Sequence, residues 1–521
     1  MRAYLWQLAN RPALACCAIF CLTLGIRAAL LPWMHAPQPA VHDEFSYLLA
    51  ADTYASGRLA NPPHPYWEHF ETFHVIQQPT YASKYPPLPG LALAFGQKFF
   101  GSPWVGVLLS TSLMCAAICW MLQGWISPAA ALVGALLVVL RLGVFDYWMN
   151  SYYGGAVPAI GGALVCGAIG RIALRGDFRQ LATLAAGLAI LFASRPYDAL
   201  ILGLISAGML AWSSRRRKVS IPLSAVFAAA AILAVAGAAM AYNNYRVTGS
   251  ALTLPYQLHE QQYAATSVFM WSKPHPQPVY RHAAMRKFWA EWYVKAVEDA
   301  RGDLVASFFA RLSAIYDFFF GFWPFLIPAL IWPYRLKSTA ERLTVVLLSV
   351  SLIALVAPLA GVMPHYVACV AGLIYLRFLQ TLTRLWGWKP RGKPIGFAIA
   401  TACVTLFVFH FATNLADLRT GEEVPRLALA RDAVVRTLDK EPGPKLVLVR
   451  YSPDHYVHEE WVDNSANIDR QPIIWAREMG ASRDLPLLEY YRDRQIWLLQ
   501  PDASPAKLSM LRPPINANAL K

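Results

Sequence analysis

HDEFSYLLAADTYASGRLANPPHPYWEHFETFHVIQQPTYASKYPP, residues 42–87, is the stretch from which the fold is read outward. Asp43 and Glu44 stand side by side near its start, Lys84-Tyr85-Pro86-Pro87 closes it, and aromatic side chains fill the interval. Apolar runs of roughly 18–20 residues, enough to cross a hydrocarbon core of about 30 Å, recur on both sides of it. The stretch is therefore a polar loop on one face of a membrane protein. Phe45, Leu48, Leu49 and Ala55 recur at helical spacing, which predicts a helix starting at the acidic pair and lying on the membrane surface with its apolar side down. Gly57, Pro62 and Pro63 end it, and Pro86, Pro87 and Pro89 open a second surface helix over 88–99.

Composition agrees with a membrane protein. Hydrophobic residues make up 56% of the chain and charged residues 15%, against roughly 25% charged in an average soluble domain. The formal charge of +15 raises nucleic acid as a partner. The basic residues, however, sit in short loops between apolar runs with no RNP, helix-turn-helix or zinc-finger pattern, so membrane lipids are the expected partner and nucleic acid is not. All eight cysteines fall inside apolar segments, which argues against structural disulfides. The first apolar run, 13–34, is too long for a signal peptide and lacks a small-x-small cleavage site, so it reads as a retained helix with its N-terminus in the cytoplasm.

Eleven spans follow, at roughly 13–34, 104–123, 129–145, 154–174, 180–194, 197–213, 221–242, 316–333, 343–358, 362–382 and 395–412. Short loops rich in lysine and arginine resist translocation. The clusters at Arg171, Arg175 and Arg179, at 215–218, at Arg335, Lys337 and Arg342, and at Arg384, Lys389, Arg391 and Lys393 all fall on the side of the N-terminus. A transmembrane domain, 1–412, then carries on its outside face the loop 35–103 and a second large loop, 243–315, followed by a small external α/β domain at 413–521. In that domain 445–451, 472–476 and 495–500 read as strands, with 428–438 and 485–491 as helices.

HDEFSYLLAADT, with Lys84-Tyr85-Pro86-Pro87 closing the same loop, resembles the first external loop of the GT-C glycosyltransferases. It is most similar to the bacterial family 39-type branch of protein O-mannosyltransferase-like and aminoarabinose-transferase-like enzymes. The resemblance implies an α-helical polytopic membrane protein of GT-C type, about eleven transmembrane helices, N-terminus in and C-terminus out, with external surface helices and a small C-terminal α/β domain. It also implies a lipid-phosphate-sugar-dependent, usually inverting, transferase. In it Asp43 matches the catalytic acid, Glu44 its acidic neighbour and Lys84 the basic residue that holds the donor phosphate.

Each residue has its own physical reading beside that resemblance. Asp43 suits a general base beside the bilayer, and a helix cap explains the same position. The Lys84 ammonium would meet the charge that grows on a leaving polyprenyl phosphate, or snorkel to lipid headgroups. Arg246, just past the seventh span, is the second candidate for the donor phosphate. Arg27, near the outer end of the first span, needs a partner that phosphate would supply. Snorkelling or an ion pair explains Arg141 and Arg195 equally well. Asp146 and Asn150, one helical turn apart, would line a substrate pocket among Tyr147, Trp148, Tyr152 and Tyr153, aromatics that an interfacial belt also explains. His42, Tyr85, His365 and Tyr366 complete that pocket. His64, His69 and His74, five apart, read as polar loop residues. No cofactor is required by these residues, and a divalent metal ion on Asp43, Glu44 and His42 stays open. The tail RYSPDHYVHEEWVDNSANID touches an acceptor or packs as a stabilising cover.

The expected function is an integral membrane glycosyltransferase, hexosyl- or pentosyl-transferring, with its site on the periplasmic face of a bacterial inner membrane. Its partners would be a polyprenyl-phosphate sugar donor and a lipid, glycan or protein acceptor. A transporter or flippase of lipid-linked saccharides would show broken helices at mid-membrane and internal repeats. A non-catalytic membrane scaffold would carry its binding in the C-terminal domain alone.

Overall fold

The structure, a computed structural model, describes residues 2–217, 221–321, 336–418 and 426–512. Among these, eight helices are long and apolar enough to cross a membrane: Pro12–Ala29, Pro103–Gln123, Ala156–Arg175, Pro196–Arg216, Leu223–Thr248, Thr339–Val356, Pro364–Trp386 and Ile395–Asp417. Two shorter apolar helices, Pro128–Leu142 and Phe178–Ser194, occupy the spans expected at 129–145 and 180–194. The expected span 316–333 lies outside the described residues from 322 onward, as do Lys218 and Arg335 of the basic clusters. Its first residues end a helix, Leu304–Phe320, that begins well before the apolar run because the Asp303 carboxylate caps it, accepting the Ala306 amide at 2.9 Å.

Small residues let the bundle close. Gly162 faces the Cys369 carbonyl so tightly that a Cβ there would overlap it, which brings helix Ala156–Arg175 against the segment at 364–370. The two ends of the bundle differ chemically. At one end the guanidinium of Arg171 donates to the Trp120 carbonyl (2.9 Å) and that of Arg175 to the Gln123 carbonyl (3.0 Å), closing the C-terminus of helix Pro103–Gln123. At the other end the Trp104 indole donates to the Met149 carbonyl (3.0 Å), and there the chain leaves helix Pro12–Ala29 for the 42–87 stretch.

Helix His42–Ala55 is not laid on a membrane surface. Phe45 packs with Leu427, Trp461 and Trp475, and Leu49 with Leu446, Ile474 and Ile496, all in the C-terminal part of the chain. Tyr47 and Ala51, on the other side, pack with Leu93, Trp104 and Val107. The apolar spacing was satisfied by protein on both sides rather than by lipid on one. The second helix of the loop, Pro87–Phe100, opens on its prolines as expected.

Two short strands, β1 (Val75–Ile76) and β2 (Ala82–Ser83), pair antiparallel within the loop, with Val75 opposite Ser83. The C-terminal sheet holds β3 (Lys445–Val449), β4 (Ile473–Arg477), β5 (Gln495–Gln500) and β6 (Lys507–Arg512) in the order β4-β3-β5-β6. The first three are parallel and buried on both faces, as their unbroken apolar runs require. β6, unexpected from the sequence, is an antiparallel edge strand of mixed character. Helices Arg426–Asp439 and Ala481–Tyr490 complete this unit. It grips the first loop by polar contacts: Arg477 Nε donates to the Glu71 carbonyl (2.6 Å), the Tyr81 hydroxyl to the Asn464 carbonyl (2.9 Å), and the Ala466 amide to Asp52 (2.7 Å). His64 and His69 belong to this grip, paired with Asp469 (3.2 Å) and Asp484 (3.3 Å).

Candidate active site

The two adjacent carboxylates divide their work at the first turn of helix His42–Ala55. Glu44 turns back and accepts the amides of Ala40 (2.7 Å), Val41 (3.2 Å) and Tyr152 (3.1 Å). Burial pushes its carboxyl up, against the pull of those three amides. With its oxygens so committed, Glu44 is a clasp between the helix start and the 143–155 turn, and the metal set expected for Asp43, Glu44 and His42 does not form around it.

Asp43 faces the other way, with 34% of its side chain exposed. One oxygen accepts the Tyr85 hydroxyl; the other lies 3.2 Å from His42 Nδ1 and 3.7 Å from His74 Nε2. Burial alone would raise the Asp43 carboxyl, but His74, His42 and the Tyr85 hydroxyl outweigh it and hold the group well below the usual carboxylate range. Burial and the neighbouring Lys84 charge push the His74 imidazole down, against the Asp43 charge. His74 arrives through the hairpin: it precedes β1 as Lys84 follows β2, and the Lys84 amide donates to the His74 carbonyl (3.1 Å). His42, Asp43 and His74 each offer one ligand atom, all within 4.8 Å of one another. Nδ1 of His74 is buried without a hydrogen-bond partner among the described residues. Two imidazole nitrogens and a carboxylate oxygen make a donor set that suits a divalent ion.

Lys84 is 5% exposed. Its ammonium lies 4.7 Å from the Tyr256 ring centroid, 5.2 Å from Tyr85 and 5.5 Å from Trp289, a cage of π faces with no carboxylate within 4.0 Å among the described residues. Burial pulls it down to about 8, although Asp43 and Glu260 favour the charged form.

A second cation belongs with it. The Arg195 guanidinium sits 4.7 Å over the Tyr366 ring with no carboxylate within 4.0 Å among the described residues, and the Asp198 carboxylate acts on it from farther off. It also acts electrostatically on Tyr47 and Tyr256, and Tyr47 stacks on Tyr85 at 4.3 Å. His365 Nδ1 bonds the Tyr147 hydroxyl (2.9 Å), and its ring meets Tyr153 and Tyr366 edge-on. The segment after β3 adds His458, whose Nδ1 lies 3.3 Å from His42 Nε2.

The structure thus brings together Asp43, His42, Lys84 and Tyr85, with Tyr366 and His365 alongside. The remaining expected residues lie elsewhere. Arg246 is exposed on helix Leu223–Thr248 and bonds only the Tyr242 hydroxyl among the described residues (3.1 Å). Arg27 is fully buried, donating to Asn150 Oδ1 (3.2 Å) and the carbonyls of Met34 (2.8 Å) and His35 (3.1 Å) and lying 4.5 Å over Trp104. Asn150 is spent on Arg27 and on the Val144 and Asp146 carbonyls. Asp146 accepts the Trp148 amide (2.9 Å) and faces the Arg141 charge rather than Lys84. His74, Arg195, His458, Tyr256 and Trp289 join the site without having been singled out for it. Only Arg195 offered a signal, as a cation wedged between two apolar helices.

No family model matches the chain, and no curated protein matches it in sequence. Solved structures match in shape. ArnT from Cupriavidus metallidurans in the apo state superposes with a TM-score of 0.52 at 11% identity, over 92% of this chain and 92% of that one. The same enzyme bound to undecaprenyl phosphate gives 0.48 at 12% identity over 92% of each. The Archaeoglobus fulgidus oligosaccharyltransferase with Zn and sulfate gives 0.46 at 11% identity, over 82% of this chain and 60% of that one. On the apo ArnT superposition, this chain has the helical membrane fold of the GT-C class with a small C-terminal sheet domain.

Proposed function

We propose that the chain is a membrane glycosyltransferase that moves a sugar from a polyprenyl-phosphate carrier to an acceptor on the non-cytoplasmic face. The observation that carries this reading is the pairing of an accessible, ionised Asp43 with a buried Lys84 whose ammonium has no carboxylate within 4.0 Å among the described residues, Asp43 and Glu260 acting on it only from farther off. A buried cation without a contacting counter-ion is costly. A ligand phosphate would supply the missing charge.

Lys84 and Arg195 would hold the donor phosphate, the first as a point charge in its aromatic cage and the second as a fork. Both favour the leaving phosphate more as negative charge accumulates on it. Asp43, kept ionised and aimed by Tyr85 and His42, would accept the proton of the acceptor nucleophile. Its low basicity makes that transfer late, once the new glycosidic bond has begun to form. Tyr147, Tyr153 and Tyr366 offer faces for a sugar ring. His42, Asp43 and His74 would hold a divalent ion, which when bound supplies charge for the phosphate or the acceptor oxygen. Attack on the side opposite the leaving phosphate would invert the anomeric centre.

The basic residues at the far end of the bundle, Arg171 and Arg175, support placing the site away from the cytoplasm. The test is transfer from a labelled polyprenyl-phosphate sugar in membranes. Asp43→Asn should abolish release of polyprenyl phosphate, and release at the wild-type rate would end the assignment.

A further inference from the structure

We propose that the cleft at the carboxyl ends of β3 and β4 binds a phosphate-bearing saccharide and presents it as the acceptor; the word acceptor rests on the transferase reading above. The cleft encloses about 520 Å³, within the usual range for a small-molecule site. Arg281, Lys287, Arg450, Arg477 and Arg483 line it against a single carboxylate, Glu478. Residues that follow parallel strands at their carboxyl ends are where ligands of open α/β sheets sit, and Arg450 and Glu478 follow β3 and β4 directly.

The cations of the cleft are not equivalent. Arg477 is tied to Glu460, Arg450 to Glu478 by two bonds (3.2 and 3.1 Å), and Arg281 to Glu68 (2.9 Å). Lys287 and Arg483 have no carboxylate within 4.0 Å among the described residues. The Lys287 ammonium is held at the cleft by the His455 carbonyl (3.1 Å). Arg483 stands in the first turn of helix Ala481–Tyr490, at the positive end of its dipole, where a cation is unfavourable unless an anion sits beside it. Asp484, in the same turn, is turned away to the Met479 amide (2.9 Å) and His69. A guanidinium, an ammonium and an uncapped helix start form a phosphate receptor.

The cleft adjoins the catalytic recess through two short stretches of chain. Lys287 lines the cleft and Phe288 packs on His42, ring centroids 5.2 Å apart. Ser452, Pro453 and His455 line the cleft, and His458, three residues on, meets His42. A saccharide anchored by its phosphate can therefore extend around this wall towards Asp43.

The test is calorimetric titration of the full-length protein in phosphatidylcholine nanodiscs with glucose 1-phosphate and with glucose. Wild type should bind the phosphate ester at least tenfold more tightly, less so at high salt. Lys287→Met with Arg483→Ser should remove that preference, and Arg483→Lys should keep it. Asp43→Asn should bind as wild type does, so loss of transfer and loss of this site read out separately. Equal binding of the two sugars by wild type, or an unchanged preference in the double variant, overturns the proposal. Nanodiscs containing phosphatidic acid identify the source: displacement of glucose 1-phosphate points to a lipid-borne phosphate, and unchanged binding to a free glycan.

Discussion

Two buried arginine and lysine centres of this molecule lie on either side of the 42–87 stretch and are treated oppositely. At the grip of the C-terminal sheet, Arg477 is 2% exposed and fully answered: Glu460 takes its fork, the Glu71 carbonyl takes Nε, and Glu460 also takes the Tyr451 hydroxyl at 2.5 Å. In the recess, Lys84 is buried to a similar degree with π faces in contact with its ammonium and Asp43 and Glu260 acting only from beyond 4.0 Å, and Arg195 rests on Tyr366 with Asp198 likewise beyond 4.0 Å. Burial of a charge is common to both. Saturation of its partners separates a structural centre from one shaped to receive something.

The contrast is broken most forcefully by swapping roles. Asp43→Asn should lower transfer about 10²–10⁴-fold with a smaller fall in unfolding temperature than Arg477→Met, the loss being only of the contacts that hold its carboxyl low; a fall as large as that of Arg477→Met would make it a structural group like Glu460. Arg477→Met should do the reverse. Leaving Glu460 buried and unpaired costs about 3–5 kcal/mol, read as a fall in unfolding temperature. A stable Arg477→Met protein would mean that the grip does not depend on the pair.

The smallest expected effect is at Asp146, which lies at neither centre. Burial pushes its carboxyl up to about 7, with the Trp148 amide and Arg141 opposing. A raised carboxyl favours the neutral form in the folded state, so its stability contribution is intact below the unfolded value of about 3.9 and is lost as pH rises towards 7. Asp146→Asn should therefore raise the unfolding temperature at pH 8 by about 2 °C, and the gain should vanish towards pH 4. A gain that grew on acidification would contradict the direction.

How much was legible follows the same division. Helical and strand periodicity, proline starts and the acidic first turn are local, and they located the ten expected spans that fall among the described residues, both loop helices and three of the four C-terminal strands. β6 escaped because an edge strand with exposed positions has no apolar signature. Arg246 was misplaced because helix Leu223–Thr248 runs past residue 242, and the buried positions Met240, Asn243, Asn244 and Val247 then turn residue 246 outward. Arg27 does need partners, but they include Asn150 and the carbonyls of Met34 and His35 just past the end of its own helix. His74 depended on a hairpin of two-residue strands, whose register sets it beside Lys84. Partners supplied across hundreds of residues, such as His458 for His42, leave no local trace.

Lys84 has no carboxylate in contact among the described residues because, on this account, its partner is the donor phosphate. Titrating a polyprenyl phosphate into the purified protein tests it directly, with Lys84→Met compared to wild type and to Arg246→Met. The account predicts at least tenfold weaker binding for Lys84→Met and wild-type binding for Arg246→Met. Equal affinity in wild type and Lys84→Met would contradict it.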